Sequence, residues 1–334
     1  MDGPLWTETH APTLEELPQA EVRDAVGRAV DEPMNLVCYG PQGAGKTAAV
    51  RALAREAHDD TDNDLVELNV DDFFSRTKTE VKNDPRFASF LVGRSRMSKR
   101  DMIHHVLKES AAYAPVSGSY KTLLLDNAET IREDFQQALR RVMERHHRTT
   151  QFVIATRQPS KLIPPLRSRC FSVPVRAPTH DEVVSVLRTV VEREDVEHDD
   201  DGLEYVAGYA NGDLRRAILA AQTTAETADA VTMNAAYEAL GDVGLTGTVE
   251  EMLADAEAGE FSAARNTLDT LLVDEGYSGQ EILSDVLRVA RSRHSGAELA
   301  RLHRLAGEVD LDLAEGASDR IHLAHLLAEL GRSA

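Results

Sequence analysis

The chain has 334 residues, 42% of them hydrophobic, which is enough for two or three domains with real cores. No apolar run reaches the roughly 18 residues of a membrane helix, and Met1 to Pro12 lacks the basic-then-apolar order of a secretory leader, so neither is expected and the expected location is cytoplasmic. Acidic residues outnumber basic ones 57 to 37, for a formal charge of −20, and only seven of the basic residues are Lys; this balance suits a cytoplasm of molar salt, where the Debye length is about 3 Å, and it requires any contact with DNA to be local.

Along the chain, residues 35–175 alternate short apolar runs with helical patterns, as a parallel α/β sheet covered by helices would. The predicted strands are Asn35–Tyr39, Leu65–Val70, Thr122–Leu125, Gln151–Thr156 and Phe171–Val175. The predicted helices among them are Thr47–His58, Arg100–Ala112 and Asp134–His146. From Pro178 onward strand signals vanish: residues 180–194, 202–210, 213–225 and 233–240 read as short helices, with Glu192 to Asp201 as an acidic loop and helix end. Gly241 to Gly247 reads as a linker, and residues 248–331 as amphipathic helices punctuated by Gly259, Gly276, Gly279 and Gly316. The expected fold class is α/β plus all-α, divided into residues 1–176, 177–242 and 243–334. Cys38 and Cys170 are expected to be reduced core residues.

The segment Gly40-Pro41-Gln42-Gly43-Ala44-Gly45-Lys46-Thr47 fits the phosphate loop G-x-x-x-x-G-K-S/T. Its glycines let backbone N–H groups turn inward around phosphate oxygens, Lys46 reaches the outer phosphates, and the Thr47 hydroxyl can ligate Mg²⁺. A helix beginning there adds its positive end. Such a match arises by chance in roughly 1% of chains this long, and here it also follows a strand and opens a helix, so ATP with Mg²⁺ is the expected ligand. Leu123-Leu124-Leu125-Asp126 is an apolar run ending in a carboxylate, as a buried strand delivering Asp126 to Mg²⁺ would be.

The order of motifs resembles the AAA+ ATPases, and specifically the archaeal replication factor C small subunits, in the divergent second form and from a halophile. Trp6-Thr7-Glu8 and Pro12 look like the family's opening W-x-E-K-Y-R-P, and Glu67-Leu68-Asn69-Val70-Asp71-Asp72 its E-L-N-A-S-D box. Asp126-Asn127-Ala128-Glu129 falls on D-E-A-D, and Ala138-Leu139-Arg140-Arg141-Val142-Met143-Glu144 is similar to A-L-R-R-T-M-E. Ser168-Arg169-Cys170 matches S-R-C, and Gly212-Asp213-Leu214-Arg215-Arg216 matches G-D-M-R-R. Gly276-Tyr277-Ser278-Gly279 and the stretch from Gly307-Glu308 through Glu315-Gly316 resemble the family's C-terminal collar.

The resemblance implies a RecA-like AAA+ domain, a helical lid and a helical collar. It implies a ring-fragment complex with large and small replication factor C subunits that loads a sliding clamp onto primed DNA with ATP. It implies that Arg169 enters the neighbouring subunit's ATP site and that Arg215 is the sensor arginine of its own. Three departures stand out. Asn127 replaces the acidic residue that activates water, and an amide cannot take up a proton at neutral pH, so the chain's own site is expected to bind ATP and hydrolyse it slowly. Arg157 stands where the family has a sensor asparagine. His10 and Ala11 replace the Tyr and Arg of the opening motif, which bears on adenine contacts. Two rival readings are a catalytically weak structural subunit that donates Arg169, and another AAA+ motor or loader, which the S-R-C motif and the collar-like C-terminus disfavour.

Residues 76–100 hold Arg76, Lys78, Lys82, Arg86, Arg94, Arg96, Lys99 and Arg100 against Glu80 and Asp84, a basic segment longer than its counterpart in the family. Arg94, Arg96, Lys99 and Arg100 are candidate DNA contacts there. Arg140 is another, although it and Arg141 face either DNA or the ATP interface. Affinity resting on phosphate contacts falls steeply with salt. Phe73, Phe74, Phe87 and Phe90 read as core residues. The twelve His carry no metal-ligand company, and a zinc site at His322 and His325 would need further ligands.

Overall fold

The structure, a computed structural model, describes residues 4–70, 76, 77, 79, 80, 97–241, 245–274, 276–315 and 318–332, and it divides into two compact units, Met1–Ala236 and Tyr237–Ala334. Arg94, Arg96, Lys78, Lys82 and Arg86, with the four phenylalanines of that segment, lie outside the described residues.

The first unit holds a five-stranded parallel sheet of β1 (Leu36–Tyr39), β2 (Leu65–Asn69), β3 (Lys121–Asp126), β4 (Thr150–Thr156) and β5 (Phe171–Pro174), in the order β2-β3-β4-β1-β5. Successive side chains of a strand point to opposite faces. Val37, Leu123, Leu125, Phe152 and Ile154 therefore pack on one face with helices α3 (Lys99–Ala112) and α4 (Glu133–His146). Leu36, Cys38, Leu124, Val153 and Ala155 pack on the other with α1 (Ala20–Asp31) and α2 (Lys46–Ala57). This double-sided burial is why the central strands β1, β3 and β4 read as largely apolar runs. Helix α1 was not among the predicted elements, although its buried Val22, Ala25, Val26 and Ala29 have helical spacing.

Strand β3 runs one residue further at each end than predicted, and Lys121 at its start is fully buried. Both cysteines are free thiols; Cys38 is buried, and Cys170 is partly buried against the core just before β5. Burial pushes both thiols up to about 12, well away from thiolate chemistry.

After β5 come α5 (His180–Arg193), α6 (Asp200–Ala210) and α7 (Leu214–Ala228). A capping box, with the Thr179 hydroxyl accepting from Glu182 N and the Glu182 carboxylate accepting from Thr179 N, starts α5. Strand structure does not end at Pro178: Glu197–His198 and Ala230–Val231 form a short parallel pair. Two residues are too few to leave a periodic signal.

The second unit is helical: α8 (Leu245–Glu257), α9 (Phe261–Asp269), α10 (Gly279–Arg293), α11 (Gly296–Glu315) and α12 (Asp319–Gly331). The predicted linker is thus helical from Leu245. Val249, Leu253, Leu268, Ile282, Val286, Leu302, Val309, Leu323 and Leu327 belong to its core. Ser278 caps α10 in a second capping box with Glu281. Gly279 N–H donates to the Asp319 carboxylate at 2.8 Å, and a Cβ at Gly279 would lie only 2.8 Å from that side chain. The approach requires glycine.

Candidate nucleotide-binding site

The topology puts the site at one edge of the sheet. The connection from β1 leads toward β2, and that from β4 toward β5 on the far side, so a crevice opens between β1 and β4 at their C-terminal ends, where ligands bind in open α/β sheets. Tyr39, the last residue of β1, pairs with Thr156, the last of β4. The phosphate loop starts one residue on.

Two loop glycines are forced by geometry. A Cβ on Gly40 would lie 1.8 Å from the Val175 carbonyl oxygen. Gly43 has φ +69° and its absent Cβ would fall 1.9 Å from an Asp213 carboxylate oxygen. The loop is held from outside by Gln19, buried, whose amide donates to the Ala44 and Arg176 carbonyls at 2.9 Å each. Leu214 N–H donates to the Gly43 carbonyl at 3.0 Å, so the start of α7 rests on the loop.

Lys46 arches over the loop and donates to the Gly40 and Pro41 carbonyls at 3.0 and 2.6 Å. Burial lowers its pKa, partly opposed by the charges of Asp126 and Glu129. Thr47 Oγ1 donates to Asp126 Oδ2 at 2.8 Å. A hydroxyl and a carboxylate converging at the foot of a phosphate cradle are hard oxygen donors, and they fit Mg²⁺ shared with phosphate oxygens.

Behind that pair, Asn127 occupies the left-handed region at φ 52°. Its N–H donates to Asp126 Oδ1 at 2.9 Å and its side-chain amide to Asn69 Oδ1 at 3.3 Å. Glu129 is the next carboxylate after Asp126 along the chain, yet it is only 7% exposed and committed elsewhere. Its Oε1 accepts from Arg157 Nε at 2.6 Å, and its Oε2 from Thr156 Oγ1 and Arg157 N at 3.2 Å each. Burial works to raise the pKa of Glu129, but the Arg157 contacts outweigh it and hold the carboxyl below its ordinary value. Glu129 is therefore an ionised anchor, not a free base.

Arg215 is the second residue of α7, exposed, and directly follows the Leu214 contact with the loop. Arg169 is placed elsewhere. It precedes β5, and its carbonyl accepts from Asn35, which precedes β1. It thus sits at the N-terminal edge of the sheet, a strand length of roughly 13 Å from the loop edge. Its guanidinium donates to Glu144 Oε1 at 2.7 Å and to the Pro165 carbonyl at 2.8 Å. Of the candidate DNA contacts, Lys99 and Arg100 open α3, where Arg100 pairs with Asp134 of α4 at 2.8 Å. Arg140 lies 3.9 Å from Glu144, one turn on.

The opening segment reaches the helices beyond β5. Trp6 is buried and its backbone N–H donates to Gln222 Oε1 of α7 at 2.9 Å, while His10 shares a hydrogen bond with Glu194 just past α5. Gln19 carries no motif of its own, and although Glu129 and Glu144 fall within motifs and Arg157 stands at the sensor position, sequence reasoning assigned none of them these contacts.

Three family models match the chain: "ATPase family associated with various cellular activities (AAA)" at residues 36–177, "RCF1/5-like, AAA+ ATPase lid domain" at 185–225, and "Replication factor C C-terminal domain" at 246–329. Similar proteins include the replication factor C small subunit of Halobacterium salinarum, 32% identical across 99% of this chain and 97% of that one. That of Methanocella arvoryzae is 31% identical, covering 97% and 95%, and that of Haloarcula marismortui 29%, covering 98% and 95%. Among solved structures, the RuvB Holliday junction branch migration motor of Thermotoga maritima superposes with a TM-score of 0.52 at 16% identity, over 76% of this chain and 84% of that one, a likeness of fold alone.

Proposed function

This chain belongs to the replication factor C small-subunit family, and on that footing we propose that it is an ATP-binding subunit of a clamp-loader complex that places a sliding clamp on primed DNA. The observation that carries the proposal is the phosphate loop with Thr47 bonded to Asp126 at 2.8 Å, at the sheet's crevice, in a chain that aligns almost end to end with such subunits. Gly40 to Thr47 cradle the triphosphate, Thr47 and Asp126 hold Mg²⁺, and Arg215 approaches from the lid. The partners are large and small replication factor C subunits, the clamp and DNA, in the cytoplasm. Among the described residues no helix is long and apolar enough to cross a membrane.

Hydrolysis at this site is slow in the proposal, because residue 127 is an amide and Glu129 is occupied by Arg157. A catalytically weak subunit that serves its neighbour is therefore the favoured version. Arg169, on the edge opposite the loop, is the residue donated across the interface. Residues 1–176, 177–242 and 243–334 serve as ATPase domain, lid and collar, and Arg94, Arg96, Lys99, Arg100 and Arg140 supply local DNA contacts.

The test is purification of the tagged chain from its host in high salt. It should bring down the other replication factor C subunits and the clamp, and the isolated chain should bind ATP with Mg²⁺, with binding lost in Lys46→Ala. A homohexamer, or nucleotide binding indifferent to Lys46→Ala, would refute the proposal.

A further inference from the structure

Arg157 follows β4 directly and stands at the crevice beside the phosphate loop. Its guanidinium is fixed at two points: Nε on Glu129 at 2.6 Å, and Nη1 near Gln42 Oε1 of the loop at 3.4 Å. The side chain is nonetheless half exposed, so the outer edge of the fork stays accessible. Glu129 beneath it is buried and bonded on both oxygens, which makes it a rigid support for the arginine. The Lys46 ammonium feels the charges of both Glu129 and Arg157, so the two cations share one neighbourhood. Lys46 serves the outer phosphates in such loops. A second cation beside it, planar and pre-oriented by a buried carboxylate, matches the oxygens of a phosphate group. The terminal phosphate of a triphosphate carries the most charge, and a diphosphate lacks it.

We infer that Arg157, held by Glu129, is a cation supplied in cis to the terminal phosphate, so that this site selects the nucleoside triphosphate over the diphosphate and retains it as a structural ligand. The inference rests on the nucleotide-binding reading and adds the basis of its selectivity. It also joins two departures from the family pattern. Asn127 removes proton uptake next to the water, and Glu129, the carboxylate nearest to replacing it, is spent on holding Arg157.

The experiment is calorimetric titration of the full chain in high salt with Mg²⁺ and either a non-hydrolysable ATP analogue or ADP. Arg157→Gln should reduce the preference for the triphosphate about tenfold, the worth of one charge-assisted contact, while ADP affinity changes by less than about twofold. Glu129→Gln should reduce the same preference by a smaller factor. The double variant Glu129→Gln/Arg157→Gln has no stranded buried carboxylate, so it controls for misfolding, and it should match Arg157→Gln. An unchanged preference in Arg157→Gln and in the double variant, or equal loss of both nucleotides, would overturn the inference. A wild-type chain that bound neither nucleotide would overturn the nucleotide reading itself, which separates the two failures.

Discussion

At the scale of single residues, an arginine at the sheet edge opposite the phosphate loop has the clearest expected role in catalysis. Arg169 sits at the N-terminal edge of the sheet, tied to Glu144 and the Pro165 carbonyl, while the phosphate loop leaves the C-terminal edge. An arginine supplied across an interface is worth roughly 10³ to 10⁵ in turnover. Arg169→Ala should lower ATP turnover of the assembled complex by about that order and leave nucleotide affinity of the isolated chain unchanged. Lys46→Ala should show the reverse weighting, with binding lost in isolation and a lesser effect next door. Steady-state turnover of complexes carrying each variant, beside titration of the single chain, decides it. Undiminished turnover with Arg169→Ala would remove the finger role.

At the scale of elements, β3 holds a charge that its sequence alone would place outside. Lys121 is 0% exposed, and its ammonium donates to the Tyr113 carbonyl at 2.6 Å. Burial lowers its pKa to about 8, with Asp64 pulling the other way. Between about 8 and the free value of 10.5, the unfolded chain binds more protons at this residue than the folded one. Its contribution to stability therefore grows as pH rises through that window, and below pH 8 the buried charge is a standing cost. Lys121→Met should flatten the pH dependence of unfolding between pH 8 and 10.5 and raise stability at pH 7, by up to roughly 3 kcal/mol at 1.36 kcal/mol per unit. Urea midpoints at several pH values would show it. A wild-type slope that survives in Lys121→Met would mean that another group sets it.

At the scale of the whole molecule, charge is the governing quantity. With a formal charge of −20, self-repulsion opposes the compact state unless salt screens it. Raising KCl from 0.1 to 2 M shrinks the Debye length from about 10 Å to under 3 Å. The melting temperature of the isolated chain should rise by about 5–10 °C, the equivalent of a few kcal/mol for a chain of this size. A flat or falling melting temperature across that series, followed by circular dichroism, would show that the acidic surface has no such role. Both units have their own cores, so the transition can appear in two steps, and each should move upward.

The α/β plus all-α fold was legible in the sequence because its signals are contiguous. The phosphate loop is eight consecutive residues whose glycines serve local backbone needs, and the three central strands β1, β3 and β4 are largely apolar runs buried on both faces. Helix α1 carried a readable period at Val22, Ala25, Val26 and Ala29, but no motif drew attention to it. What local pattern could not decide was which distant side chains would meet. Glu129 and Arg157 lie 28 residues apart and join only because β3 and β4 are neighbours in the sheet. Glu144 finds Arg169 across 25 residues, and Gln19 clamps carbonyls 25 and 157 residues away. Sequence alone thus determined that a phosphate cradle exists and that residue 127 cannot act as a base. Only the tertiary structure decided that Glu129 is already taken and that Arg169 faces away from its own loop, since both follow from strand order, which short-range chemistry does not encode.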